Sequence, residues 1–169
     1  MTSAQLLADA FDRIRGVVHS VAEGLDPGHL TFRADPEANT IVWLIWHLTR
    51  VQDDHVAGAG GWTQVWASEG WVDRFALPFD SSDIGYGMDP GEVGLVEVSS
   101  ADLLTGYHDA VSSRTTAYVR SLVETDLDRV VDEAWDPPVT LGARLVSVVS
   151  DGLQHAGQAA FVRGLATRR

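Results

Sequence analysis

The chain contains no cysteine, and all 12 of its basic residues are arginine, none lysine. Without cysteine there is no disulfide framework, no thiolate nucleophile, no cysteine-ligated zinc or iron–sulfur site and no thiol redox switch of the protein's own. Any sulfur chemistry must therefore use a thiol brought from outside. Without lysine there is no Schiff-base catalysis and no phosphate loop of the lysine-bearing kind. Positive charge is scarce overall: 12 Lys+Arg against 24 Asp+Glu leave a formal net charge of −12. Nucleic-acid affinity rests largely on neutralising phosphates, so this balance speaks against a nucleic-acid partner. Long apolar runs are missing as well. The longest uncharged apolar stretch, Thr40 to Thr49, is about half the length a bilayer span requires. The segment Met1 to Asp9 has neither the basic nor the apolar region of a signal peptide. The expectation is a cytoplasmic protein with no membrane partner, and 169 residues suit a single domain over 1–169 built around one core.

What is present is helical periodicity in four segments. Leu7, Phe11, Ile14, Val18, Val21 and Leu25 fall on one stripe, ended by Gly24 and the Asp26-Pro27-Gly28 turn. A second stripe carries Ile41, Leu44, Leu48, Val51 and His55, with Asn39 or Thr40 as its cap and a stop at residues 58–61. A third, capped by Ser99 or Ser100, carries Leu103 or Leu104, Tyr107, Val111, Tyr118 and Leu122. The fourth begins at Thr140 and carries Leu141, Leu145, Val148, Gly152, Ala159 and Val162. No stretch alternates with period two for long enough to build a sheet. The reading is an all-α four-helix bundle with a long irregular excursion over 62–98 between helices two and three, suited to act as a lid. Within the excursion, Asp89-Pro90-Gly91-Glu92 reads as a capping box opening a short helix.

Bundle sites are made by polar side chains that project inward from facing helices. Counting about 100° per residue from Leu44, His47 lies about 60° to one side, Asp54 about 80° to the same side and His55 about 20° to the other. Counting likewise from Val148 on the last helix, Asp151 lies about 60° away and His155 about 20° away. Asp151 and His155 are i and i+4, a spacing at which a carboxylate and an imidazole can converge on one ion. An inward histidine is equally a hydrogen-bonded core residue, and Asp beside His a structural pair. Gly152 and Gly157 are costly inside a helix and point to close helix approach near these residues.

The segments Trp43-Leu-Ile-Trp-His47-Leu-Thr-Arg-Val-Gln-Asp-Asp54-His55 and Asp151-Gly-Leu-Gln-His155-Ala-Gly-Gln158 resemble the DinB-like superfamily, in particular its actinobacterial mini-circle-protein branch, as does the run Asp83-Ile-Gly-Tyr-Gly-Met-Asp-Pro-Gly-Glu-Val. The resemblance implies an up-down-down-up bundle, often a homodimer. It also implies a divalent metal, commonly zinc or nickel, on one histidine of helix two and two residues of helix four. Carried over position by position, these are His47, Asp151 and His155. Asp151 departs from the His or Glu of the pattern and is a shorter ligand than Glu. Relatives include mycothiol-dependent isomerases and S-transferases.

The function expected on this basis is a metal-dependent thiol S-transferase or isomerase, with mycothiol as cosubstrate and a small-molecule electrophile as partner. Asp54 or His55 would transfer the proton, Arg144 would receive a substrate carboxylate, and Gln158 would hydrogen-bond a ligand or a water on the metal. Two alternatives use the same residues: a non-catalytic, possibly dimeric bundle that binds a ligand or partner, and a metal-dependent hydrolase.

Overall fold

A computed structural model of the chain describes residues 1–168. Four long helices carry the fold: α1 (Ser3–Ala22), α3 (Ile41–Gly60), α7 (Ala101–Ser121) and α8 (Leu141–Ala166). Short helices lie between them: α2 (Pro27–Leu30), α4 (Val65–Ser68), α5 (Trp71–Phe75) and α6 (Pro90–Gly94), with a 3₁₀ turn at Glu124–Asp128. Three of the four long helices begin where a polar side chain takes up a first free amide, whereas Ser100 before α7 makes no such hydrogen bond. Thr2 accepts from Gln5 N, Thr40 from Trp43 N and Thr140 from Ala143 N. Helix α3 ends at Gly61, whose φ of 76° is the left-handed cap glycine tolerates best.

Helix α1 packs on α7 and α8, and α3 packs on α8 and α7. The consecutive long helices α1 and α3 therefore stand across the bundle from each other. Phe11, Ile14 and Val18 of α1 meet Leu145 and Val148 of α8 and Tyr107 and Val111 of α7 in one continuous core. Gly152 allows the close approach expected of it, because a Cβ there would stand 3.0 Å from Ile14 Cδ1. Gly157 does not, since nothing lies within 4 Å of where its Cβ would be. That half of the expectation fails because residue 157 faces away from the core.

The structure departs from the sequence reading in two further ways. A small antiparallel ladder forms, with Val130 opposite Thr140 and Asp132 opposite Val139; it is too short to show as alternation. The 62–98 excursion is less irregular than expected, since α4 and α5 lie within it besides α6, the short helix expected from the Asp89/Glu92 capping box. Its aromatic residues fold onto the bundle. Trp66, Trp71 and Phe75 have ring centroids 5.1, 5.5 and 5.7 Å from that of Tyr107. As a result α3 has no solvent face over most of its length, and every residue from Ile41 to Asp53 is buried.

The core also encloses His108 of α7, fully buried. Thr49 Oγ1 donates to Ile45 O at 2.7 Å, so it accepts from His108 Nδ1–H at 3.0 Å, and Nε2 has no partner. Burial depresses this imidazole from 6.5 to about 4, opposed by Asp109 and reinforced by His19 and Arg15. Because the unfolded chain binds this proton and the folded one does not between those values, the stabilisation is whole above pH 6.5 and is lost as pH falls towards 4. The loss expected from His108 is on the order of 3 kcal/mol. Urea unfolding between pH 6.5 and 4 is expected to show a steeper decline for the wild-type protein than for His108→Asn. Parallel declines would contradict the assignment.

Candidate metal centre

His47 projects from the middle of α3, and Asp151 and His155 from one face of α8, where the two helices pack against each other. One ligand atom from each of the three lies within 4.8 Å of the other two. The rings of His47 and His155 have centroids 4.8 Å apart. His155 Nε2 stands 3.5 Å from Asp151 Oδ1, close to the roughly 3.4 Å edge of a tetrahedron with ligands about 2.1 Å from its centre.

Second partners orient both imidazoles. His47 Nδ1 donates to the carbonyl of Ile84, and His155 Nδ1 donates to Gln158 Oε1 at 2.9 Å. With both Nδ1 atoms engaged, Nε2 is the ligating nitrogen left on each ring, the arrangement that second partners impose on metal-binding histidines. Asp151 Oδ2 is buried and has no hydrogen-bond partner. An orphaned carboxylate oxygen beside two imidazoles oriented in this way is a donor set that fits a divalent cation such as zinc. Burial lowers the affinity of His47 for a proton, partly offset by the Ile84 carbonyl, which favours the neutral imidazole a ligand must be. The neighbouring Asp151 carboxylate raises that of His155, against the opposing effect of burial.

The walls come from two elements. Trp43 stacks on His47 at 4.5 Å and meets His155 edge-on at 6.0 Å. The loop after α5 covers the opposite side. Gly85 of that loop has φ 98°, and a Cβ there would stand 2.6 Å from His47 Nδ1. Only glycine lets this backbone rest on the imidazole. Tyr86 follows, its ring 5.2 Å from that of His47 and 6.4 Å from that of His55.

The other residues singled out in the sequence are placed as follows. Asp54 and His55 lie about two turns beyond His47 on α3, with the Tyr86 ring near both histidines, and form their own pair, with His55 Nδ1 3.1 Å from Asp54 Oδ2. Asp54 Oδ1 accepts from Gln64 Nε2 at 2.7 Å. The hydrogen bond from His55 holds Asp54 below the usual carboxylate range, against the opposing effect of burial. Arg144 is engaged by Asp132 Oδ2 at 2.7 Å, so the guanidinium expected to await a substrate carboxylate already holds one from the ladder. Gln158 commits its oxygen to His155, leaving its amide nitrogen for a ligand.

Sequence reasoning passed over Arg50 and Asp53. Arg50 is fully buried and donates to Gln64 Oε1 at 2.7 Å and to Ser81 O, Asp83 O and Tyr107 Oη, each at 3.3 Å. Asp53 accepts from Val65 N, Trp66 N and Tyr107 Oη at 2.8–2.9 Å, so a side chain of α3 caps α4. Burial raises the proton affinity of Asp53 and these donors oppose it. The available signal was charge inside a segment otherwise almost wholly apolar.

An all-helical bundle with a His, Asp, His constellation between two of its helices defines a DinB-like protein, and the comparisons agree. The mycothiol S-transferase family model matches residues 6–167, and the chain belongs to that family. A crystal structure of a conserved protein from Enterococcus faecalis superposes with a TM-score of 0.92 at 28% identity, covering 100% of this chain and 99% of that one. No curated protein matches. No helix among the described residues is long and apolar enough to cross a membrane.

Proposed function

We propose that the protein is a divalent-metal-dependent S-transferase that joins a low-molecular-weight thiol, mycothiol, to a small electrophile. The observation that carries this reading is the convergence of His47, Asp151 and His155 with both Nδ1 atoms already engaged and a carboxylate oxygen left orphaned. Membership of the mycothiol S-transferase family supports the thiol, and the absence of cysteine requires that it be a cosubstrate. His47 and His155 would hold the ion through Nε2 and Asp151 through its carboxylate. When bound, zinc or nickel supplies the Lewis acidity that favours thiolate over thiol.

The chain's own residues do the rest. Asp54 fixes the tautomer of His55 by accepting from Nδ1–H, which leaves His55 Nε2 as the base that takes the thiol proton. Gln64 holds Asp54, and Arg50 holds Gln64, so the base rests on a hydrogen-bonded chain that ends in the core. Trp43 and Tyr86 wall the site and limit the water that competes with the thiol.

The test uses untagged protein loaded with zinc or nickel, mixed with mycothiol and monochlorobimane. Conjugation is expected to run well above the protein-free rate and to cease on chelation. A rate equal to the protein-free one would overturn the transferase. Under the same conditions, consumption of an ester with no thiol required would favour hydrolysis by the same centre.

A further inference from the structure

Tyr86 is the residue of the site that nothing else in the protein accounts for. Its side chain is largely exposed, 61%, yet its ring is edge-on to His47 and nearly parallel to that of His55. Among the described residues its hydroxyl has no hydrogen-bond partner. It is nevertheless not a freely swinging side chain, because the loop that carries it is tethered on both sides. Arg50 holds the carbonyls of Ser81 and Asp83 before it, and the Ile84 carbonyl sits on His47. After it, Met88 Sδ accepts from Trp43 Nε1 at 3.4 Å. Gly85 and Gly87, with φ of 98° and 73°, let the chain turn so that Tyr86 stands at the apex. Partial burial raises the hydroxyl's hold on its proton, the nearby carboxylates of Asp151 and Asp54 add to this, and Arg144 opposes it. Arg144 is already paired with Asp132. With Arg144 so paired, the Tyr86 hydroxyl is a donor without a protein partner beside the candidate centre, available to a substrate carbonyl oxygen.

We infer that Tyr86 is a further catalytic residue of the proposed transferase, its hydroxyl donating to the oxygen of an electrophile of the α,β-unsaturated carbonyl class. This role rests on the transferase reading above. In the step it serves, His55 Nε2 takes the proton of the thiol and the sulfur forms a bond to the β-carbon. The π electrons of the alkene move towards the carbonyl oxygen, where negative charge develops against the Tyr86 hydroxyl. The proton held by His55 then passes to the α-carbon and the carbonyl is restored. The sum is addition of a thiol across a double bond, with no oxidant or leaving group. Donors aimed at the atom on which charge develops are usually the largest single contribution to such a step.

Because the hydroxyl makes no hydrogen bond among the described residues, Y86F is expected to remove it without disturbing the fold, and the ring still walls the site. The experiment compares metal-loaded wild type and Y86F with mycothiol and two electrophiles. One is 2-cyclohexen-1-one, in which charge builds on oxygen; the other is monochlorobimane, in which chloride leaves with the bonding pair. Y86F is expected to lose about 100-fold in kcat/KM for the enone. It is expected to stay within about threefold for the bimane, where no oxyanion forms. Metal content and helical circular dichroism are expected to match wild type. Equal losses with both electrophiles would give the hydroxyl a part common to both reactions rather than to the developing oxyanion and overturn the role, as would no loss with either. Diminished metal content in Y86F would place the hydroxyl in the metal centre and overturn it too. A wild-type rate no faster than the protein-free rate with both electrophiles would instead remove the transferase, and this role with it.

Discussion

Arg50→Met is expected to lower the stability of the metal-free protein by about 3–5 kcal/mol, the usual cost of removing one member of a buried charged network. The guanidinium is fully buried, 3.8 Å from Asp53 Oδ2, and donates to two side chains and two loop carbonyls. It also lies 4.8 Å over the Trp66 ring. Methionine has a similar stem but no donor, so the carbonyls of Ser81 and Asp83 and the charge of Asp53 would lose their partner at once. A functional consequence follows, because the same loop presents the Ile84 carbonyl to His47 and carries Tyr86. Metal affinity is expected to fall by about 10–100-fold, as when an outer partner of a metal-binding histidine is lost. Urea unfolding of the metal-free protein and metal titration of the folded protein read the two effects separately. Arg50→Lys, which keeps the charge without the planar fork, is expected to fall between Met and wild type. A Met variant within about 1 kcal/mol of wild type would mean that water replaces these hydrogen bonds.

His155→Ala is expected to abolish stoichiometric binding of a divalent ion while leaving the metal-free fold nearly intact. The side chain is partly exposed, and Gln158 can exchange its lost hydrogen bond for water. In the wild-type protein, metal at about 1,000 times its dissociation constant stabilises the folded state by about 4 kcal/mol. The variant is expected to lose this increment entirely, so that its melting temperature no longer depends on added zinc or nickel. Elemental analysis of untagged protein and thermal melts with and without metal check both parts. Retained stoichiometric metal in this variant would show that the ligand set is other than His47, Asp151 and His155.

The two predictions differ in how far the sequence alone could have supplied them. His155 is legible because a helix repeats every 3.6 residues. Once Leu44 and Val148 mark the buried faces, the inward placement of His47, Asp151 and His155 follows from counting, and so does the i, i+4 spacing on α8. The caps at Thr2, Thr40 and Thr140 are equally local. Arg50 is different. The same counting places Arg50 and Asp53 on the side of α3 away from the core, where charged residues ordinarily meet water. They are buried because the chain after α3 folds back over that side, laying Trp66 and the carbonyls of Ser81 and Asp83 on Arg50 and the amides of Val65 and Trp66 on Asp53, against Tyr107 of α7. Periodicity identifies the faces of a helix and does not say what covers the second one.

The same distinction runs through the site. Helix boundaries, the bundle class, the exclusion of a thiol of the protein's own, the inward placement of His47 and the i, i+4 pairing of Asp151 with His155 follow from composition and short-range spacing, because each depends on residues within a few turns of one another; that α3 brings His47 against the α8 pair is decided by packing. The nitrogen each histidine leaves free depends on Ile84 and Gln158, and Ile84 is 37 residues from its partner His47. The pairing of Arg144 with Asp132 depends on a ladder too short to announce itself. The placement of Tyr86 depends on a glycine turn resting against an imidazole. Backbone carbonyls carry no residue identity, and long-range hydrogen bonds leave no period in the sequence. These contacts come into being only once the excursion closes over the bundle.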